Sequence, residues 1–524
     1  MNITVVREGR EYVFQGEENL SLLEQLRTRK LYISAACGGR GTCGKCKVQM
    51  VTGATKPSKE EIRFFTEEEL AEGWRLACRA FPKGDCRVVI QSDDESQFAV
   101  VSQHREARGD IANETEGYDI AIDIGTTTIA MELVGKSGGR ILHTVTAINR
   151  QRAFGADVIA RIQASNDGHK EALKDSIRKD LYEGIKGLLA ESGASGIKVE
   201  RIAIAGNTTM GHLLMGYSCE TLGVYPFTPV DIGTIATDFG ELFKEQIARD
   251  TAEAAMLTAQ VVLLPGISTF VGADISAGML ACGFDRREKP CLLIDLGTNG
   301  EMAIGCKDRI LVTSTAAGPA FEGGNISCGM GSVPGAISGV SMENGKIYVS
   351  TIGDAPPVGL CGTGVIETVF ELRKEELVDE TGMLDEDYFD DGFELGRTPE
   401  GEAILFTQKD VREIQLAKSA VRAGVETLLL RYGVTYEDID QIFLAGGFGY
   451  KINLEKTIGI GMLPEEFREK TTAVGNSSLG GTVLYLTSGD ARERLNRIVE
   501  ASHEVELSSD KDFNDFYTEY MLFE

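Results

Sequence analysis

Three cysteines, Cys37, Cys43 and Cys46, fall in the run AACGGRGTCGKCKVQM (35–50) with the spacing C-x5-C-x2-C, and Cys78 follows 31 residues later in WRLACRAF. Four thiolates so arranged hold metal, either one tetrahedral zinc or, two to each iron, a [2Fe–2S] cluster. Zinc ribbons usually pair two C-x2-C turns, and only one is present here, so the pattern favours iron and sulfur. Gly38, Gly39, Gly41 and Gly44 suit a loop that wraps a cluster, because it needs unusual backbone angles and amides close to sulfur. Cys86 stands outside the spacing and reads as a core residue. A second chemistry is carried by two D-x-G-T turns: Asp123, Gly125 and Thr126 in YDIAIDIGTTTIAMELV (118–134), and Asp295, Gly297 and Thr298 in CLLIDLGTNGEMAIG (291–305). Such a turn presents amides and hydroxyls to anionic oxygens, while its aspartate can hold magnesium directly or through water. One D-x-G-T alone is often a tight turn and nothing more. The segment GKS at 135–137 is no rival phosphate loop, since Ala130 stands where a Walker A sequence needs glycine.

These residues need elements to position them. Two short strand-like runs, ITVVREG and REYVFQG, precede the helical NLSLLEQLRTRK, in which Ser21 and Glu24 form a capping-box pattern. KCKVQMVTG and CRVVIQS supply further strands, completing a small sheet by about residue 92. Strands, helix and cysteine loop together resemble a β-grasp ferredoxin; the first cysteine gap is one residue longer than in plant-type ferredoxins and resembles the adrenodoxin type. This α+β domain is expected over 1–95, with a linker over 96–117 whose stretch HREARGDIANETEG (104–117) is polar and without periodicity.

The remaining chain repeats itself. RIAIAGNTTM (201–210) resembles QIFLAGGFGY (441–450), each an apolar strand ending in Ala-Gly, and each half also carries a small-residue helix, GADISAGMLACG from Gly272 and NSSLGGTVLYL from Asn476. Two α/β halves follow, 118–288 and 289–524, the second with a C-terminal extension, and they resemble the RNase H-like halves of the actin, heat-shock protein and sugar kinase superfamily (ASKHA). That resemblance implies an ATP cleft with Mg2+, in which Asp123 and Asp295 are catalytic. Gly125, Thr126, Thr127 and Thr128 form the first phosphate turn, Gly297, Thr298, Asn299 and Gly300 the second, and Gly446 and Gly447 the adenosine-side turn. Arg152 and Arg161 could face phosphate or solvent, and the glycine-rich AAGPAFEGGNISCGMGSVPG could be structural or line the cleft.

The whole chain resembles the reductive activators of corrinoid proteins, which join an N-terminal [2Fe–2S] domain to a C-terminal ATPase. AINRQRAFGADVIARI (147–162), TAAGPAFEGGNISCGM (315–330) and GLCGTGVIE (359–367) add to that resemblance. It implies ATP-dependent reduction of cob(II)alamin to cob(I)alamin on the corrinoid protein of a methyltransferase system, with an external low-potential electron donor. A homodimer is compatible with it. Two other readings are a metabolite kinase with a redox-sensing ferredoxin domain, and an electron shuttle on a nucleotide-inert scaffold. The five histidines show no ligand spacing, so the partner is expected to bring the corrinoid. A length of 524 residues allows several domains, and a net charge of −27 disfavours nucleic acid and anionic lipid as partners. No apolar run reaches the roughly 18 to 20 residues of a membrane span, and eleven cysteines without a secretory segment suit thiol chemistry in the cytoplasm.

Overall fold

The computed structural model describes residues 1–7, 9–29, 31–35, 37–90, 117–194, 198–247, 258–446 and 452–523. In β1 (Asn2–Arg7) the alternation of NITVVR sends Ile3 and Val5 inward. With β2 (Arg10–Gln15), β3 (Lys47–Thr52), β4 (Trp74–Leu76) and β5 (Cys86–Ile90) it forms one sheet in the order β2-β1-β5-β3-β4. β1 pairs antiparallel with β2 and parallel with β5, and α1 (Leu22–Thr28) buries Leu22, Leu23 and Leu26 in the same core, which gives the β-grasp arrangement. Cys86 lies buried in β5. The capping box at α1 is only half made. Ser21 accepts from the Glu24 amide, but the Glu24 carboxylate turns to Arg27 at 2.6 Å and to His169 of the following domain at 3.3 Å. A full box, Thr66 with Glu69, opens α2 (Glu67–Ala71) instead. The expected linker, apart from Gly117, lies outside the described residues.

The first α/β half holds β6 (Tyr118–Ile124), β7 (Thr128–Gly135), β8 (Arg140–Ile148), α3 (Val158–Ala164), α4 (Lys170–Ser192), β9 (Val199–Gly206), α5 (Thr208–Met215), β10 (Ile235–Asp238), α6 (Phe239–Leu242), α7 (Lys244–Ile247), β11 (Gln260–Leu263) and α8 (Ala273–Cys282). The second holds β12 (Cys291–Leu296), β13 (Gly300–Cys306), β14 (Arg309–Thr315), a small sheet of β15 (Ala336–Glu343), β16 (Lys346–Thr351) and β17 (Gly359–Leu360), α9 (Gly362–Lys374), the hairpin β18 (Phe393–Arg397) and β19 (Ala403–Phe406), α10 (Gln408–Tyr432), β20 (Gln441–Ala445), α11 (Leu454–Gly459), β21 (Thr471–Gly475), α12 (Ser477–Thr487), α13 (Ala491–Ala501), β22 (Ser502–Glu504) and α14 (Lys511–Glu519). The sheets run β10-β11-β9-β6-β7-β8 and β21-β20-β12-β13-β14-β22. Each is centred on a strand that ends in a D-x-G-T turn. The repeat is in register: Asp123 lies opposite Ala205 of the parallel neighbour β9, and Asp295 opposite Ala445 of β20. The chain thus forms two RNase H-like halves.

The small-residue helices cross over. α12 packs through Leu479, Val483 and Leu486 on Ala121, Ala130 and Ala203 of the first sheet, while α8 shares a core with Leu293, Ala303 and Phe443 of the second. The helices touch where they cross: a Cβ on Gly481 would stand 1.9 Å from the carbonyl oxygen of Ala277. Only glycine permits that approach.

The β-grasp domain rests on the first half. The fully buried ring of Phe154 lies 5.0 Å beneath the Arg27 guanidinium and 5.6 Å from the Tyr32 ring. Arg27 Nε and Nη2 donate to the Ala153 carbonyl at 3.1 and 2.6 Å. A Cβ on Gly38, in the cysteine loop, would lie 3.2 Å from the Phe154 carbonyl oxygen.

Candidate functional site

Cys37, Cys43 and Cys46 sit in the loop between α1 and β3, and Cys78 follows β4; all four are free thiols. They come together as two pairs, Cys37 with Cys43 and Cys46 with Cys78, each with 3.4 Å between sulfurs. Two thiolates on one tetrahedral ion, with bonds of about 2.3 Å, stand roughly 3.7 Å apart, so the pairs fit two irons, one each. Gly38, Gly39, Gly41 and Gly44 all have positive φ, between 67 and 104°, which is why the loop carries glycine there. Cys37 is held down to about 3, first by the hydrogen bond with Cys43 and then, against burial, by the amides of Thr42, Gly39 and Cys43; the same bond pushes Cys43 upward. Amides gathered on sulfur stabilise thiolate and help set a cluster's potential.

The second site is the cleft between the two sheets. The Asp123 carboxylate accepts from Asn476 Nδ2 and Ser478 Oγ, both at 2.7 Å, at the start of α12, and Asn476 Oδ1 also caps that helix through the Leu479 amide. Every carbonyl of Gly125, Thr126 and Thr127 is held by one segment. Asn149 Nδ2 donates to Gly125 at 2.9 Å, Arg161 Nη2 to Thr126 at 2.6 Å and the Asn149 amide to Thr127 at 2.9 Å. Asn207, the cap of α5, donates to Thr126 Oγ1 at 3.1 Å. In the second turn the Gly297 amide donates to Asn299 O at 3.0 Å, Asn299 Nδ2 reaches Glu301 at 3.1 Å, and Gly300 opens β13. Gly446, with φ of 97°, closes against this turn; a Cβ there would meet Leu296 O at 2.3 Å. Gly447 lies outside the described residues.

Carboxylates crowd the cleft floor. Burial, Asp274 and Asp123 push Asp295 up to about 8, and burial and Asp123 push Asp274 up to about 7. Glu301 is raised by burial and then by Asp274 and Asp295, and Asp123 by burial against the bonds from Ser478 and Asn476. These acids resist ionisation because they are buried near one another, although among the described residues no three acidic, histidine or cysteine side chains are grouped closely enough to hold a metal ion as they stand.

The structure brings Asp123 near Asp295 and places the two D-x-G-T turns close enough for Glu322 to bond to both. It also adds residues that the repeat left unread. Asp274 starts α8, inside a segment noticed only for its small residues. Asn207 and Asn476 each cap a helix from a short G-N-T-T or G-N-S-S run, but after strands that do not correspond in the repeat, Asn207 after β9 and Asn476 after β21. Arg161 does not face solvent: fully buried, it ties the Gly155 carbonyl, 2.9 Å away, to that of Thr126. Glu322, from the glycine-rich loop, accepts from Thr127 Oγ1 at 3.2 Å and Thr298 Oγ1 at 3.1 Å, so that loop lines the cleft.

Three family descriptions match in sequence: a 2Fe-2S iron-sulfur cluster binding domain over residues 5–83, the RACo middle region over 118–287, and the C-terminal domain of RACo, the ASKHA domain, over 289–524. The chain is 34% identical over 435 residues, 79% of its own length and 72% of the relative's, to the corrinoid activation enzyme RamQ of Eubacterium limosum. It is 28% identical to the [Co(II) methylated amine-specific corrinoid protein] reductase of Methanosarcina barkeri, covering 76% of each chain. Among solved structures, a reductive activator for corrinoid, iron-sulfur protein superposes with a TM-score of 0.70 and 28% identity over 99% of this chain and 98% of that one. The paired cysteines, the repeated cleft and a 34% identical relative matched over most of both chains lead to one conclusion: this chain belongs to the family of corrinoid reductive activators, iron–sulfur oxidoreductases that join a [2Fe–2S] domain to an ASKHA domain.

Proposed function

We propose that this protein reduces cob(II)alamin, held by the corrinoid protein of a methyltransferase system, to cob(I)alamin by one electron, and that it does so under the control of Mg-ATP. The observation that carries the reading is the pairing of four thiols, Cys37 with Cys43 and Cys46 with Cys78, in a chain that also holds two D-x-G-T turns facing one cleft. In this reading these cysteines ligate the [2Fe–2S] cluster, which supplies one-electron chemistry at low potential. The loop amides of Gly39, Thr42 and Cys43 favour negative charge on sulfur. Asp123 and Asp295 hold Mg2+ from opposite halves, directly or through water. Thr126, Thr127, Thr128, Thr298 and Asn299 meet the phosphates, and Gly446 and Gly447 border the adenosine. Asn476 and Ser478 fix the Asp123 carboxylate for that task. An external low-potential donor supplies the electron. Among the described residues no helix is long and apolar enough to cross a membrane, and we place the reaction in the cytoplasm.

The test is anaerobic absorbance spectroscopy of cobalt in a partner corrinoid protein mixed with chemically reduced protein, with and without Mg-ATP. Efficient formation of cob(I)alamin only with Mg-ATP is expected. Equal reduction without nucleotide would identify an electron shuttle. Phosphorylation of a metabolite with no cobalt reduction would identify a kinase.

A further inference from the structure

Resting on the nucleotide reading above, we propose that in the nucleotide-free protein Glu322 occupies the donors that seat the terminal phosphate, so the cleft tells ATP from ADP by whether this carboxylate is displaced. Its Oε2 accepts from Thr127 Oγ1 of the first turn at 3.2 Å and from Thr298 Oγ1 of the second at 3.1 Å, and the Thr298 amide also points at the carboxylate. Two hydroxyls and an amide, converging from both D-x-G-T turns on one anionic oxygen, are what a phosphate oxygen would use. Carboxylate and phosphate cannot hold the same donors together.

The loop that carries Glu322 is built to hold it there. Pro319–Glu322 form a single helical turn, flanked by Gly318 and Gly323 at φ 79 and 76°. A Cβ on Gly323 would stand 2.2 Å from Met330 O, and one on Gly329 would stand 2.0 Å from Gly323 O, so the loop is folded tightly on itself. Ser327 anchors it to α10, its amide and hydroxyl donating to Asp410 Oδ1 at 2.7 and 3.0 Å. Glu322 is therefore delivered by the second half and reaches the first at Thr127. The charged group that acts on it is the buried Arg161, which lowers its proton affinity but is already engaged with two carbonyls. A terminal phosphate entering between the turns adds negative charge beside a carboxylate, and Glu322 must withdraw. ADP, one phosphate shorter, leaves it in place.

The experiment measures binding of ATP, ADP and inorganic phosphate to the full-length, cluster-loaded chain by titration calorimetry, for the wild type, Glu322→Gln and Glu322→Ala. The visible absorbance of the cluster domain and the melting temperature check folding. Gln keeps the shape and an acceptor but removes the charge. Both variants should bind ATP tighter relative to ADP by about tenfold, the scale of a charge-assisted contact, and bind free phosphate more tightly. In the wild type, hydrogen exchange at residues 320–324 should rise with ATP and stay unchanged with ADP. An unchanged ATP-to-ADP ratio in both variants overturns the inference, and weaker ATP binding makes Glu322 a support of the bound nucleotide instead of its competitor, which overturns it equally. No binding of either nucleotide by any of the three proteins removes the nucleotide reading itself, and this inference with it.

Discussion

At the scale of single residues, the two sites make opposite use of burial. The cysteine loop surrounds sulfur with amides, so negative charge there is stabilised, whereas the cleft gathers carboxylates with little to neutralise them. With the proposed ligation, replacing Cys78 by Ala should remove one of the two thiolate ligands of one iron and abolish the [2Fe–2S] absorbance and electron paramagnetic resonance signals. Cys86→Ala, in the core of β5, should keep the signals and lower only the melting temperature. The cleft predicts a pH effect. Asp295, at about 8, keeps its proton in the folded chain where the unfolded chain has lost it, so between about pH 4 and 8 its contribution turns against folding as pH rises. Metal-free protein should lose melting temperature from pH 5 to 8.5. Asp295→Asn should flatten that loss, and saturating Mg2+ should do the same for the wild type. An identical slope in the variant would remove Asp295 from the cause.

At the scale of elements, the repeat is what the sequence shows best. Two centred strands, each with its Asp opposite the Ala of an Ala-Gly strand, were visible because identical tasks left identical residues. Small residues in α8 and α12 likewise announced close packing. What they could not announce is that α12 packs on the first half's sheet and that α8 lies between residues of both sheets, because that is decided by partners far apart in the chain. The same holds for Glu24, whose spacing from Ser21 satisfies a local box while its carboxylate is drawn to Arg27 and His169, and for Arg161, whose charge suggested phosphate or water but which donates to the nearby Gly155 carbonyl and to that of Thr126, 35 residues away. Glycine at 481 tests the crossing. Gly481→Ala places a methyl 1.9 Å from the Ala277 carbonyl oxygen, backbone that cannot step aside, and should cost about 1–3 kcal/mol in urea unfolding. Gly489→Ala, with nothing near its Cβ, is the control and should change little.

At the scale of the whole molecule, the β-grasp domain and the cleft between the two sheets are joined by one stretch of chain. Asn149 and Arg161 hold the three carbonyls of the first D-x-G-T turn, and between them Ala153 and Phe154 receive Arg27 and the cysteine loop at Gly38. Arg27→Ala removes the hydrogen bonds to Ala153 and the cation over Phe154 without touching the cleft. It should loosen the β-grasp domain, seen as greater hydrogen exchange at residues 22–28 and 150–154, and should shift the affinity for Mg-ATP by a few-fold in calorimetry. An unaltered affinity with a loosened domain would show the two sites to be independent. If they are coupled, the coupling runs in both directions. On the proposed reading, a protein that docks on the cysteine loop would then compete with Phe154 for the Gly38 face, and a stretch of backbone about a dozen residues long would make nucleotide affinity a report of which surface that loop is touching.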